Sequence, residues 1–290
     1  MKHLYYSIIL SAILFSCNGH GKKADAYGNF EAVEVIVSAE TAGRLTELPI
    51  DAGTILKAGE KAGSIDSTQN YLTIKRLQST KNALYAKINA AQAQVTVAQT
   101  QLNSLQKEKN RVEKLFADSA ATQQQLDEIT GKFDVAKAQL QAAKIGVEAA
   151  VSEMDALDSQ LKQAKDLLSK CTITNPIDGT VLERYVDNGE LVGPGIPVYK
   201  IADLTYLNLR AYVSGIQLSS IKIGQEVDIM IDKTKRENIS MKGVITWISS
   251  QAEFTPKIIQ TKDERVMLVY AFKVKIKNDG SLKIGMPGEV

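Results

Sequence analysis

The sequence predicts a mixed α and β fold: a long antiparallel coiled-coil hairpin inserted in a split β-sandwich, followed by a small antiparallel β-barrel. Three observations predict it. A proline-free stretch between Pro49 and Pro176 carries apolar residues at alternating steps of three and four. Two glycine-bearing segments that resemble one another flank this stretch, and short alternating strands follow. A chain of 290 residues has room for about two ordered domains.

The sequence begins with the features of an export signal. Lys2 supplies a positive start, and the apolar run from Tyr5 to Phe15 is too short to cross a bilayer but suits a signal-peptide core. We expect residues 1–16 to be a signal peptide. Leu14-Phe15-Ser16-Cys17 resembles a bacterial lipobox, which predicts lipidation at Cys17 and a lipid-anchored tether over residues 17–27. An ordinary secretory signal with an incidental cysteine is the alternative.

The residue types of the remaining chain exclude several kinds of site. His3 and His20 are the only histidines, so the part expected to fold cannot build a Ser-His-Asp, Cys-His or histidine-rich zinc site. Cys171 is the only cysteine besides Cys17, and we expect it to be a small buried hydrophobe. Acidic residues show no distinctive clustering, and a net charge of +2 gives no footprint for nucleic acid. We expect no enzyme activity, catalytic residue or metal.

A few short strands are predicted in residues 28–67, which include a leading strand, and a few more in residues 171–203. In both segments, β-branched runs alternate with Gly and Asp turns. The two segments echo one another, which predicts the two halves of one β-sandwich. The matching pieces are Ala42-Gly43-Arg44-Leu45 with Asp178-Gly179-Thr180-Val181, Asp51-Ala52-Gly53 with Asp187-Asn188-Gly189, and Gly59-Glu60 with Gly193-Pro194-Gly195.

Residues 68–170, between these halves, predict two helical arms that bury one narrow apolar seam against each other. Arms of about 45 residues would reach on the order of 70 Å. The seam residues of the first arm are Leu84, Ile88, Ala91, Val95, Ala98, Leu102, Leu105, Val112 and Phe116; those of the second are Leu126, Ile129, Phe133, Ala136, Leu140, Ala143, Val147, Ala150, Met154, Leu157, Leu161, Ala164 and Leu168.

The heptad pattern stops briefly within KNRVEKLFADSAATQQQLDE, residues 109–128. Small residues from Ala117 to Ala121 predict the turn of the hairpin. Thr122 followed by Gln125 predicts a capping box at the start of the second arm.

Residues 204–290 alternate apolar and polar positions, as in Leu207 to Val213, and predict the antiparallel barrel.

The paired half-motifs resemble the biotinyl/lipoyl-like domain. Such a domain split by a coiled-coil hairpin is similar to the HlyD-type membrane fusion proteins, also called periplasmic adaptors. The resemblance covers nearly the whole mature chain, and the segment QTKDERVMLVYAFKVKIKN followed by GMPGEV is most similar to adaptors that serve ABC exporters. Little chain remains for the membrane-proximal domain of many relatives.

The resemblance implies a periplasmic adaptor without cofactor that joins an inner-membrane ABC transporter to a TolC-like outer-membrane channel. One hairpin cannot enclose a channel, so a homo-oligomeric ring follows if the protein forms a conduit. The lipid predicted at Cys17 would anchor this ring to a membrane, which we predict to be the inner one. An RND pump is the alternative partner. The tip motif of the family is an Arg, a Leu four residues later and a Ser seven beyond that. Arg111, Leu115 and Thr122 occupy these places, so they are the predicted channel contacts.

Two other functions stay open. A biotin or lipoate carrier needs a lysine on the exposed turn between the half-motifs, and here the hairpin replaces that turn. A structural coiled-coil spacer would have no pump partner in the membrane. In that case Arg111 is a solvated helix charge, Leu115 packs beside the seam and Thr122 only caps a helix.

Overall fold

The computed structural model describes residues 24–234, 237–254 and 268–290. The predicted signal peptide, Cys17 and most of the tether lie outside these ranges. The predicted fold class is confirmed, with two long helices between two sets of strands. In chain order the elements are β1 Tyr27–Glu31, β2 Glu34–Ser38, β3 Gly43–Glu47, β4 Ile55–Leu56, β5 Lys61–Ile65, α1 Thr68–Ala117, α2 Gln123–Ser169, β6 Thr172–Thr174, β7 Gly179–Arg184, β8 Leu191–Val192, β9 Pro197–Ala202, β10 Tyr206–Ser214, a 3₁₀ helix Gln217–Ser220, β11 Glu226–Thr234, β12 Glu237–Ile248, β13 Glu253–Phe254, β14 Leu268–Lys277 and β15 Pro287–Glu289.

The helices α1 and α2 form the predicted antiparallel hairpin. With 50 residues, α1 is about 75 Å long. Every predicted seam residue is buried or half-buried, with Phe116 the one exception. Beside the seam, Lys87 Nζ lies 2.6 Å from Glu153 Oε2, and Lys81 pairs with Asp158. Gly131 and Gly146 lie on the exposed faces, where neither helix approaches them, so they leave the seam intact.

Each sheet of the β-sandwich contains strands from before the helical hairpin and strands from after it. One sheet has the order β2-β9-β7-β4 and the other β6-β5-β3-β8. The halves also exchange equivalent turn bonds: Gly53 N–H donates to the Val181 carbonyl and Gly189 N–H to the Leu45 carbonyl, both at 2.8 Å. Both glycines have φ above 90°, a conformation that L side chains rarely adopt, which explains their repetition in the two half-motifs.

The core of this sandwich contains one buried polar residue among those described, Asn175. Its side-chain amide donates to the carbonyls of Lys57 at 3.0 Å and Ile177 at 2.5 Å, and its Oδ1 accepts from the Tyr199 hydroxyl at 3.1 Å. Burial raises the pKa of the Tyr199 phenol to about 12. The network therefore holds together segments from both sides of the hairpin.

Cys171 lies where α2 returns to the sandwich and is buried, as predicted. The Asn70 side-chain amide donates to its Sγ at 3.1 Å, which ties the base of α1 to the end of α2. The thiol thus packs at the junction of the hairpin and the sandwich.

The barrel is a closed ring of six strands in the order β10-β1-β15-β11-β12-β14, because β14 pairs back onto β10, and β13 extends the edge of β14. Its core contains Phe30, Leu209, Ile229, Ile245 and Phe272. The leading strand, predicted with residues 28–67 as part of the sandwich, lies elsewhere. Since β1 pairs with β10 and β15, it belongs to the barrel and not to the sandwich.

Candidate functional site

The tip of the hairpin is the candidate site, because it carries the predicted contact residues far from both β domains. In residues 24–234, 237–254 and 268–290, no three His, Cys, Asp or Glu side chains group as metal ligands would. No helix of this described portion combines the length and apolarity needed to cross a membrane. Arg111, Leu115 and Thr122 all lie at the tip, whereas Cys17 lies outside the described residues.

The end of α1 is closed by a tight turn. Ser119 has a φ of 58°, the one non-glycine residue of the described chain in the left-handed region. The Ala120 N–H donates to the Leu115 carbonyl at 2.7 Å, and the Ser119 N–H to the Phe116 carbonyl at 3.0 Å. This pair of bonds is the Schellman motif, which satisfies the last carbonyls of the helix. The turn is therefore held by its own backbone.

The start of α2 is fixed by the predicted capping box, which the structure confirms. The Gln125 N–H donates to Thr122 Oγ1 at 3.2 Å, and the Thr122 N–H donates to Gln125 Oε1 at 2.8 Å. These reciprocal bonds satisfy two backbone donors at the helix start. Although its hydroxyl is engaged, the Thr122 residue as a whole is exposed to solvent.

Leu115 and Phe116 give the tip an apolar surface, with 41% and 38% of each residue exposed. The sequence pattern assigned Phe116 to the seam and missed this exposure. In the antiparallel pair, Leu84 packs with Met154 and Leu157; the same register would set Phe116 opposite Gln123, the first residue of α2. Gln123 is polar and offers no apolar side chain against which Phe116 could pack. The signal available in the sequence was the position of Phe116 beside the predicted turn.

Charged side chains lie on both helices near the tip. Arg111 lies one turn before Leu115 on the same face of α1, and its Nη1 is 3.1 Å from Glu108 Oε2. Lys109 Nζ lies 4.8 Å from the centre of the Phe133 ring of α2. A hydrogen bond from Lys132 lowers the pKa of Glu128. The exposed Arg111 guanidinium thus borders an apolar surface, an arrangement suited to contact with another protein.

Several known proteins are similar to this chain. No family model matches the chain. A "UPF0194 membrane protein" of Yersinia enterocolitica serotype O:8 is 29% identical over an alignment of 308 positions, covering 96% of this chain and 93% of the relative. The crystal structure of MacA from Actinobacillus actinomycetemcomitans has a TM-score of 0.58 and 23% identity, covering 91% of this chain and 76% of that one. The membrane fusion protein Spr0693 of Streptococcus pneumoniae R6 gives a TM-score of 0.49 with 19% identity over 90% and 95% of the two chains.

Proposed function

We propose, from the premise that the chain has the fold of the membrane fusion proteins, that it is the periplasmic adaptor of a tripartite export system of the HlyD type. In this proposal the hairpin tip binds a TolC-like outer-membrane channel, and the β domains bind an inner-membrane ABC transporter. The observation that carries the proposal is an exposed Arg111–Leu115–Thr122 tip, closed by its own hydrogen bonds, at the end of a hairpin about 75 Å long.

The hairpin suits a bridging role better than a carrier role. A carrier domain presents a modified lysine on a short turn between its half-motifs, and here α1 and α2 occupy that place. The tip turn is internally hydrogen-bonded through the Schellman motif and the capping box, so it presents Leu115 and Phe116 without needing to order them on binding. A simple spacer gains nothing from exposed apolar residues at its free end.

The proposal includes an assembly and an anchor. One hairpin cannot enclose a conduit, so several copies would form a ring. The lipid on Cys17 would hold this ring at the inner membrane. The ABC class is favoured over an RND pump by the resemblance of the last 30 or so residues to adaptors of ABC exporters.

Photo-crosslinking in cells that express the chain tests both ends of the proposal. A photoreactive residue at Lys114 is expected to capture an outer-membrane channel, and one at Tyr212 of the barrel an ABC permease. Ala90, exposed midway along α1, is the control position and should capture neither. Capture of an RND pump at Tyr212 would keep the adaptor role but change the energy source of the proposed export system. Capture of no membrane partner at either position would leave only the structural spacer.

The double substitution Arg111→Asp and Leu115→Asp is expected to abolish export, because it places two carboxylates on the proposed contact surface. Both residues are exposed, so each change should alter the free energy of unfolding by less than about 0.5 kcal/mol. Export of the transporter's cargo and the helical circular dichroism signal measure the two effects. The pair Lys107→Asp and Gln101→Asp, lower on the same helix, is the matched control; unchanged export in the tip variant would contradict the contact.

A further inference from the structure

The loop between β10 and β11, residues 215–225, carries two isoleucines that the fold leaves in solvent. It contains four large apolar residues. Leu218 and Ile221 are half-buried and pack onto the barrel core. Ile216 and Ile223, in contrast, are 90% and 66% exposed. The barrel end is therefore closed by two of the four, and folding does not require the other two to be apolar.

This loop is held in place by hydrogen bonds. The Ser214 N–H donates to Gln217 Oε1 at 3.0 Å, and the Gln217 side-chain amide donates to the Asp25 carbonyl at 3.0 Å. The Gly224 N–H donates to the Ile245 carbonyl at 2.8 Å. Ile216 and Ile223 are thus presented from a fixed loop, and the Asp25 bond places that loop at the point where the N-terminal tether joins the barrel.

The tether limits how far this loop can be from a bilayer. Six residues lie between Cys17 and Ala24, the first described residue, so the two are joined by seven Cα–Cα steps. Fully extended, they span at most about 25 Å. The strands β1 and β10 both run between this end of the barrel and the sandwich, so loop 215–225 lies at the end of the barrel away from the hairpin. A chain anchored at residue 17 must keep this end close to the membrane surface.

We propose that loop 215–225 inserts Ile216 and Ile223 into the surface of the bilayer that holds the anchor. Lys222 is the one charged residue of the loop and lies beside Ile223, so the loop offers apolar side chains with a cation to anionic headgroups. The contact fixes the orientation of the barrel on the membrane, which a single point of attachment cannot do. This inference rests on the proposed membrane anchor, but not on the channel or the transporter.

The test uses the full-length, anchored chain in vesicles of phosphatidylethanolamine and phosphatidylglycerol, without transporter or channel. Ile216→Cys and Ile223→Cys are labelled with an environment-sensitive fluorophore, and Ile55→Cys, on the sandwich and 77% exposed, is the matched control. The chain without an added cysteine corrects for labelling at Cys17 or Cys171. We expect emission at positions 216 and 223 to shift to shorter wavelength, with severalfold stronger quenching by nitroxide-labelled lipid than at position 55.

A second variant checks that the two isoleucines act together. Adding Ile216→Asp to the chain labelled at position 223 should remove most of the shift at 223 while the circular dichroism spectrum stays unchanged. Equal quenching at positions 216 and 55 would overturn the proposal. So would a shift at 216 that appears only when an inner-membrane transporter is added, because the occupant would then be a protein. Failure of tip crosslinking to a channel leaves this result unaffected, so the two proposals fail separately.

Discussion

At the scale of single residues, the Tyr199–Asn175 hydrogen bond contributes to the stability of the sandwich. Tyr199→Phe removes the hydroxyl and leaves the buried Asn175 Oδ1 without its donor. We expect a loss of about 1–3 kcal/mol in the free energy of unfolding of the sandwich. Hydrogen exchange of its core amides measures this loss. Tyr71→Phe, on the exposed face of α1, is the control and should change the same quantity by less than about 0.5 kcal/mol.

The same phenol makes the sandwich sensitive to alkaline pH. The pKa of Tyr199 is raised from 10.0 to about 12 by burial, so the folded state retains a proton that the unfolded chain releases. The stability that this group contributes is fully present below pH 10 and is lost as the pH rises toward 12. We expect the Tyr199→Phe variant to lose less stability than the parent chain over this range. Urea midpoints of both proteins across it give the comparison, and parallel curves would contradict the assignment.

At the scale of elements, Ser119 shows where the tip stores strain. A non-glycine residue in the left-handed region destabilises the folded state by about 1 kcal/mol. Replacing it with glycine recovers only part of this free energy, because glycine makes the unfolded chain more flexible. Ser119→Gly should therefore stabilise the hairpin by ~0.5 kcal/mol. Ala120, the next residue, does not have a positive φ, so the substitution Ala120→Gly should destabilise the hairpin. Thermal melts followed by helical circular dichroism separate the two, and equal effects would exclude strain at Ser119.

Buried seam positions and exposed outer positions of α2 should differ in how much a substitution to alanine destabilises the hairpin. Leu157→Ala removes a buried seam residue that packs against Leu84. It should cost about 2–3 kcal/mol, toward the low end for buried leucines because the seam is narrow. Val135→Ala on the outer face, where the valine is 59% exposed, should cost less than about 0.5 kcal/mol. Urea unfolding of the helical signal measures both; similar costs would mean that the outer face is also covered.

These elements also show what the sequence could predict. The seam and the capping box depend on residues three and four apart, so a local pattern suffices to find them. The exposure of Phe116 depends on where α2 begins, and the placement of β1 depends on pairing with β10 about 180 residues later. Propensity carries no information about such distant partners. Arg111 and Leu115 could be placed at the tip from the sequence because their position depends on the local helix pattern, whereas a binding partner cannot be derived from this chain.

At the scale of the whole molecule, a stiff hairpin separates two candidate contacts. The tip residues Leu115 and Phe116 lie at one end, and Ile216 and Ile223 lie at the far end of the barrel. With α1 alone about 75 Å long, no single globular partner would contact both. The architecture therefore suits a protein that holds two different partners at a set distance, and substitutions at either end should affect only the contact at that end.

The exchange of strands between the halves of the sandwich governs how the chain can fold as it is made. The strands β2 to β5 emerge early, but their partners β6 to β9 follow only after the entire hairpin, and β1 must wait for β10 and β15. The helical hairpin, the β3–β5 pair and the β11–β12 pair can form from residues close in sequence, but the remaining pairings of the N-terminal strands cannot. For most of synthesis, the N-terminal strands thus carry unpaired edges that invite aggregation. A chaperone that shields residues 27–65 until the last strands arrive would meet a need created by the topology itself.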